Sequence, residues 1–351
     1  LGDAIVILTP ALSGWRMPAE WERHSRCWMA WPCDAGSWHK GLDEIRTAYA
    51  EVARAIAVRE PVTVLCNPED AVDVSLACGG GIQVLPLEIG DRWLRNTGPL
   101  FLLDDYGGVS GVQRFENTPS SSHLLIDTTL ARRVLSHLGL PCFDGPQALE
   151  GGAIATDGAG TVLATEQFFL NPDRSPHANR DDVEALLKAY TGARTIIWLG
   201  QGYQDDRAGG HVDEVARFVR PGVVVALTTP DSHDGNFAAL HDNQERLKKA
   251  RDALGRSLEI IPIRQPARRD HGGRRMTLSY TSFYIGNGQV IMPGFEDSAD
   301  QGAYRTLRRA FLNREIVQIP ALDIVAGGGG SIHRMTLEQP APVPIPYDPV
   351  I

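Results

Sequence analysis

One pattern recurs along this chain and limits what it can fold into. Two β-type runs around a tight turn, an amphipathic helix and a further apolar run return about every 60–70 residues, roughly five times. Leu100–Leu103 and Gly107–Gln113 read as a hairpin and Asp127–Leu138 as a helix. Glu150–Thr165 reads as two strands around an Asp157-Gly158 turn, followed by a helix over Asp181–Tyr190 and a strand over Thr195–Leu199. His211–Phe218 and Val223–Leu227 read as a hairpin turned at Arg220-Pro221-Gly222, with Phe237–Leu254 as a long helix. Leu258–Pro262, Leu278–Tyr284 and Val290–Met292 are expected strands, the last two around Asn287-Gly288, and Ala299–Phe311 a helix. Nearer the N-terminus, Cys27–Trp31 reads as a buried strand, and Leu42, Ile45, Tyr49, Val52 and Ile56 fall at helical spacing. Pro61–Cys66 and Ile82–Leu85 read as strands, with Asn67 as N-cap and Pro68 at a first helical position between them. No linker divides the copies. One α/β domain with internal pseudo-symmetry is therefore expected over residues 17–345, with tails at 1–16 and 346–351.

Composition supports a buried core and narrows the partners. Of 351 residues, 43% are hydrophobic, and the formal net charge is -9. That balance argues against nucleic acid or an anionic membrane as the partner and is compatible with a small cationic ligand. No apolar run has the length of about 18 residues that a membrane span needs. Ala4–Leu12 is apolar, but Asp3 precedes it where a signal segment carries positive charge. The five cysteines (Cys27, Cys33, Cys66, Cys78, Cys142) form no CxxC pair and no zinc spacing, which fits a reduced, cytoplasmic protein.

The chemistry concentrates in four glycine-flanked stretches. They are Asp91–Pro99, Leu149–Gly152, Gly209–Asp213 and Gly327–Thr336. The four-glycine run lets the backbone approach a ligand closely, and it reads as a strand, Ile324-Val325, running into a tight loop. His211 and Asp213 are two apart, so an extended segment would point both to one face. Taken alone they also read as an exposed turn beside a hairpin. Glu150, before two glycines, reads on its own as a solvated loop acid. The run Arg268–Arg275 reads as a solvated basic loop rather than an RNA patch.

The ordered set Met17-Pro-Ala-Glu-Trp-Glu22, Trp28-Met-Ala-Trp-Pro32, Arg95-x-Thr-Gly-Pro99, Glu150-Gly-Gly152, Gly210-His-Val-Asp213 and the glycine-rich Ile332-His333 segment resembles the agmatine deiminase family. The relatives of that family include the bacterial-type peptidylarginine deiminases. The resemblance covers about residues 17–340. It implies the pentein fold, an α/β propeller of five ββαβ units with pseudo-fivefold symmetry and a central site. It implies a C–N hydrolase needing no cofactor or metal, converting agmatine and water to N-carbamoylputrescine and ammonia through a cysteine thiolate, and it suggests a homodimer. By the same resemblance His211, Glu150 and Asp213 are catalytic or binding residues, and Trp93, Arg95, Asn96, Gly329 and Gly330 line the substrate site.

Two positions depart from the family pattern. Asn96 stands at the guanidinium-binding aspartate and Arg334 at the nucleophilic cysteine. Arginine stays protonated and cannot attack carbon. Cys33, after Trp31-Pro32, is the one candidate for a replacement nucleophile, and an idle thiol is its alternative reading. Three readings follow. The first is a hydrolase of altered substrate or mechanism; the second is an inactive member that binds a ligand or partner. The third is a metal-dependent enzyme using His211, Asp213 and His333. On the second reading Arg334 reaches Glu150 or Asp213 as an internal pseudo-substrate.

Overall fold

The computed structural model describes residues 8–33, 41–90, 93–114, 127–146, 149–173, 179–326 and 330–342. Its repeating unit is clearest in the middle of the chain. Ala216–Arg220 pairs antiparallel with Val223–Thr228, which then runs parallel to Glu259–Arg264. A parallel neighbour needs a crossover, and helix Phe237–Lys249 supplies it. The middle strand is a Val-Val-Val-Ala-Leu run buried at all of these positions, as strands covered on both faces are.

The same unit appears four more times. Leu100–Asp104, Val109–Arg114 and Cys142–Gly145 form one copy. Ala155–Thr156, Thr161–Thr165 and Thr195–Leu199 form the next. Tyr284–Gly286, Gln289–Gly294 and Glu315–Pro320 form a third. The last joins both chain ends: Thr336–Pro340 lies antiparallel to His24–Ala30, which runs parallel to Val62–Cys66. Its crossover helix, Leu42–Ala57, buries Ile45, Tyr49, Val52 and Ile56 on one stripe. Each large apolar side chain so buried contributes roughly 1.5–3 kcal/mol. Trp15–Arg16, on the tail side of the boundary expected from sequence, pair with Leu103 and Asp104.

Several local expectations are corrected. Ile324-Val325 is not a strand: Leu322–Ala326 is a short helix, so tertiary packing overrides β-branched preference. Only Tyr284–Gly286 of the run from Leu278 is strand. Helix Phe237–Lys249 stops five residues before Leu254, where Ala250 turns extended. Asn67 does not cap by its side chain; its Oδ1 accepts the Ile89 amide at 2.9 Å.

What positions the site is a feature shared by four of the five units. Each enters its first strand through one short helical turn: Leu94–Thr97, Gly151–Ala153, Val212–Glu214 and Ile332–Met335. These turns and the residues just before them carry Trp93, Arg95, Asn96, Glu150, His211, Asp213, Gly330, His333 and Arg334.

Candidate active site

His211 and Asp213 reach the site by a route the sequence did not predict. The segment is not extended. His211 caps the turn Val212–Glu214, and the strand begins only at Ala216. The turn is held from upstream by Asp206, whose Oδ2 accepts the amides of Gly210 at 3.1 Å and His211 at 3.0 Å. Gly210 has φ +96°, a conformation that favours glycine, and its carbonyl accepts the Thr165 hydroxyl. His211 is fully buried, edge-on to Phe168. Its Nε2 lies 3.0 Å from Glu150 Oε2, without hydrogen-bond geometry. Arg114 approaches the other Glu150 oxygen at 3.5 Å.

The turn Ile332–Met335 brings in Arg334. Arg334 is 3% exposed. Its Nη1 donates to Asp206 Oδ1 at 2.9 Å, and its Nη2 lies 3.4 Å from both Asp213 Oδ1 and Glu214 Oε1. Beside it, His333 Nδ1 is 2.9 Å from Asp213 Oδ2, and Nε2 is 3.2 Å from Glu20 Oε1. Glu20 also pairs with Arg217, whose Nη1 donates to the carbonyls of Thr281 and Phe283. Arg95 braces the turn: its Nε donates to the His333 carbonyl at 2.8 Å, and its guanidinium fork holds Glu338.

Charge follows from this packing. Burial pushes the Asp213 carboxyl up, but Arg334, then His333, outweigh it and the net shift is down. Asp206 is likewise lowered, with Arg334 overcoming burial. Glu214 goes the other way. Burial, reinforced by Asp213 and Asp206, holds its carboxyl well above the usual range despite Arg334. Burial works to lower the Arg334 value, yet Asp206, Asp213 and Glu214 raise it, so it remains a cation. Burial, with Arg217 and Arg95 adding, pushes the His333 ring below its ordinary value against Glu20 and Asp213.

Two glycines let these groups close in. The Gly152 amide donates to Asn96 Oδ1 at 3.3 Å. A Cβ there would come within 2.6 Å of His211 Nδ1, 2.8 Å of Asp213 Oδ2 and 3.2 Å of Asn96 Oδ1. A Cβ on Gly330 would sit 3.0 Å from the Trp93 ring and 3.1 Å from Arg334 Cδ. The structure thus gathers Asn96, Glu150, His211, Asp213 and Arg334 around Gly152 and Asp206, with Trp93 covering Gly330. Gly329 lies outside the described residues. Arg95 stands behind this group, committed to Glu338 and the His333 backbone.

Asp206, Glu214, Glu20 and Arg217 were not singled out from sequence. Glu20 stands in the Met17-Pro-Ala-Glu run that carried part of the resemblance, and Asp206 lies five residues before His211 in a loop that reads as a surface turn. Cys33 is half-buried, faces the Ile89 carbonyl at 3.8 Å and packs on the apolar cluster of Trp28, Leu94 and Phe101. Of the other thiols, burial pushes Cys66 and Cys78 up to about 11 and raises Cys27 and Cys142. His333 is poorly disposed as a metal ligand, because both its nitrogens face carboxylates. Among the described residues no group of three His, Cys, Asp or Glu is spaced to hold a metal ion.

The carboxylates of Asp206 and Asp213 in this cluster are engaged by the Arg334 guanidinium of the same chain. Residues 16–340 match the Porphyromonas-type peptidyl-arginine deiminase family. The agmatine deiminase of Stutzerimonas stutzeri is 36% identical over 363 residues, 95% of this chain and 98% of that protein. That of Pseudomonas aeruginosa is 36% identical over 360 residues, with the same coverage. The solved agmatine deiminase of Enterococcus faecalis superposes with a TM-score of 0.89 at 29% identity, over 97% of this chain and 100% of that one. A Pseudomonas aeruginosa DDAH structure, at 11% identity and TM-score 0.51 over 90% of this chain and 99% of that one, shares the fold alone. The fold is the pentein fold, and the five ββαβ units are its repeat.

Proposed function

We propose that this chain, which belongs to the Porphyromonas-type peptidyl-arginine deiminase family alongside agmatine deiminases, is a member whose guanidinium site is filled by its own Arg334 and which does not deiminate agmatine. The observation that carries this reading is the buried Arg334 guanidinium on Asp206, Asp213 and Glu214. Covalent deimination needs a thiolate against the guanidinium carbon, and a fixed cation stands on the loop where the family carries that sulfur. Losing a nucleophile commonly costs on the order of a millionfold in turnover. Agmatine would also have to displace a tethered guanidinium, which competes at a high effective concentration. Asn96 adds to the loss, offering an amide where relatives offer a carboxylate. The protein is then a ligand- or partner-binding pentein rather than a guanidine hydrolase.

A second reading rests on the retained Glu150–His211 contact, 3.0 Å long. That pair could activate water against a different amidine, without covalent catalysis. Ammonia release across a panel of guanidines and amidines distinguishes the two. The first reading expects none from the parent chain, no calorimetric binding of agmatine, and binding gained in Arg334→Ala. It further expects Arg334→Cys with Asn96→Asp to release ammonia from agmatine well above the sum of the single variants. Turnover of agmatine by the parent at about 1 per second or faster would overturn it.

A further inference from the structure

The basic run Arg268–Arg275 has no part in the reading above. It is a two-stranded hairpin in which Asp270 pairs with Arg275 and His271 with Arg274. Gly272 and Gly273 turn it, with φ 58° and 76°, the two positive values that a tight I′ turn requires. Its base is fixed. Arg275 is buried, with Nη2 2.9 Å from Asp234 Oδ2, and its guanidinium lies over the Tyr203 ring.

This hairpin and the Asp205-Asp206-Arg207 turn flank a small open cavity of about 30 Å³, lined by Asp205, Arg207, His271, Arg274 and Arg275, together with Met276, Thr277, Val325 and Ala326. Arg275 is neutralised by Asp234, and Arg268 outside the cavity by Asp270. Arg207 and Arg274 form no ion pair with a carboxylate of the described residues. The lining thus carries three arginines and one carboxylate, Asp205, with Arg275 also paired to Asp234 behind it, a local positive excess in a chain of net charge -9. A water-sized group needs roughly 10–15 Å³ of such space, so the cavity admits about two, the footprint of two oxyanion oxygens.

We propose that this cavity is a binding subsite for the carboxylate or phosphate oxygens of a small anionic molecule. Guanidinium forks match both groups in charge and geometry. The placement ties such a ligand to the site already described. Asp206, between Asp205 and Arg207, holds Arg334 through Oδ1 and the His211 amide through Oδ2. Asp205 keeps φ at +62°, a left-handed backbone that a non-glycine residue seldom adopts. An anion drawn to Arg207 thus acts on the turn that keeps Arg334 in place. The proposal stands whether or not Arg334 excludes agmatine.

The test is calorimetric titration of the full chain with inorganic phosphate and, separately, succinate, at constant ionic strength set with chloride. The parent is expected to bind at least one of them saturably. Arg207→Gln and Arg274→Gln should each weaken it about tenfold, the scale of one charge-assisted pair, and the double variant should abolish it. Arg268→Gln, outside the cavity, should bind as the parent does. Phosphate binding alone assigns the site to phosphates, and succinate binding alone to carboxylates. Circular dichroism checks folding; should Arg207→Gln misfold, Arg274→Gln on the exposed hairpin carries the test. Absence of saturable binding of either anion overturns the proposal, as does an equal loss in Arg268→Gln, which would mean a diffuse field.

Discussion

Two buried ionic clusters lie toward opposite ends of the strand Thr336–Pro340. Arg334 and His333 precede its start, and His24 pairs with its last residue. Around His24 every polar atom of the central pair has a partner. Glu60 Oε1 accepts the Tyr284 hydroxyl and faces His24 Nδ1 at 3.3 Å; Oε2 accepts the Asn287 amide at 2.6 Å. His24 Nε2 lies 2.9 Å from the Glu20 carbonyl. Around Arg334 the pairing is incomplete. Neither Glu214 oxygen, nor His211 Nδ1, nor the hydroxyls of Ser282 and Ser331 has a hydrogen bond among the described residues, though all are buried. Satisfied buried polar groups hold a fold together, whereas unsatisfied ones mark a place shaped for something else. Charge divides the clusters the same way. Glu60 is lowered despite burial, by His24, while Glu214 is raised by burial.

The comparison is tested hardest by making one substitution in both clusters. Glu60→Gln removes the charge that His24 needs and should cost about 3–5 kcal/mol, the scale for breaking a buried pair. Denaturant unfolding at pH 6 measures it. A cost no larger than that of Glu214→Gln would erase the distinction. A smaller effect is expected at Gly152. Gly152→Ala places a methyl against His211 Nδ1 and Asp213 Oδ2 and should cost about 1–3 kcal/mol. A thermal midpoint unchanged from the parent would show that the Gly152 side of the site yields as freely as a surface loop.

The fold was legible because periodicity is local. Alternation and helical spacing marked a unit repeated roughly five times, with boundaries off by a few residues. The strands Cys142–Gly145, Glu315–Pro320 and Thr336–Pro340 escaped notice: the first has a Phe-Asp-Gly end that reads as a turn, the second carries Ile316, Val317 and Ile319 but no period-2 alternation, and the third pairs only with the far N-terminal end. The site was legible where glycine stands beside a charged residue, since close approach leaves a mark in composition. Its electrostatics were not. Nothing local tells Asp206 from its exposed neighbours Asp205 and Arg207, or shows that Glu214 is buried with both carboxylates beside it. The His211–Asp213 pair was placed together for the wrong reason: the segment is not extended, and the two meet because His211 caps the turn that carries Asp213 and both border Gly152. Position 334 was marked only by the resemblance, and what its side chain does there depends on three carboxylates from another unit.

The smallest expected effect is also the most diagnostic, because it grows with pH. Glu214 has its folded carboxyl raised by burial, then by Asp213 and Asp206, from an unfolded value of about 4.3. The folded state therefore binds this proton more tightly than the unfolded one, and stability falls as pH rises above about 4.3. Glutamine is neutral throughout and lacks that decline. Glu214→Gln should lie within about 1 kcal/mol of the parent below pH 4 and gain on it steadily as pH rises. The Glu60 cluster gives the opposite profile. Glu60 is lowered, so its contribution is full above about 4.3 and is lost as pH falls through the folded value; His24 is raised, so its contribution is full below about 6.5 and is lost as pH rises through the folded value. The Glu60→Gln deficit should be greatest between those limits and shrink outside them. Unfolding free energies of the parent and both variants from pH 3.5 to 8.5 decide the matter. If the Glu214→Gln difference is flat across that range, Glu214 carries its charge beside Arg334, and the plug is held by three carboxylates rather than two.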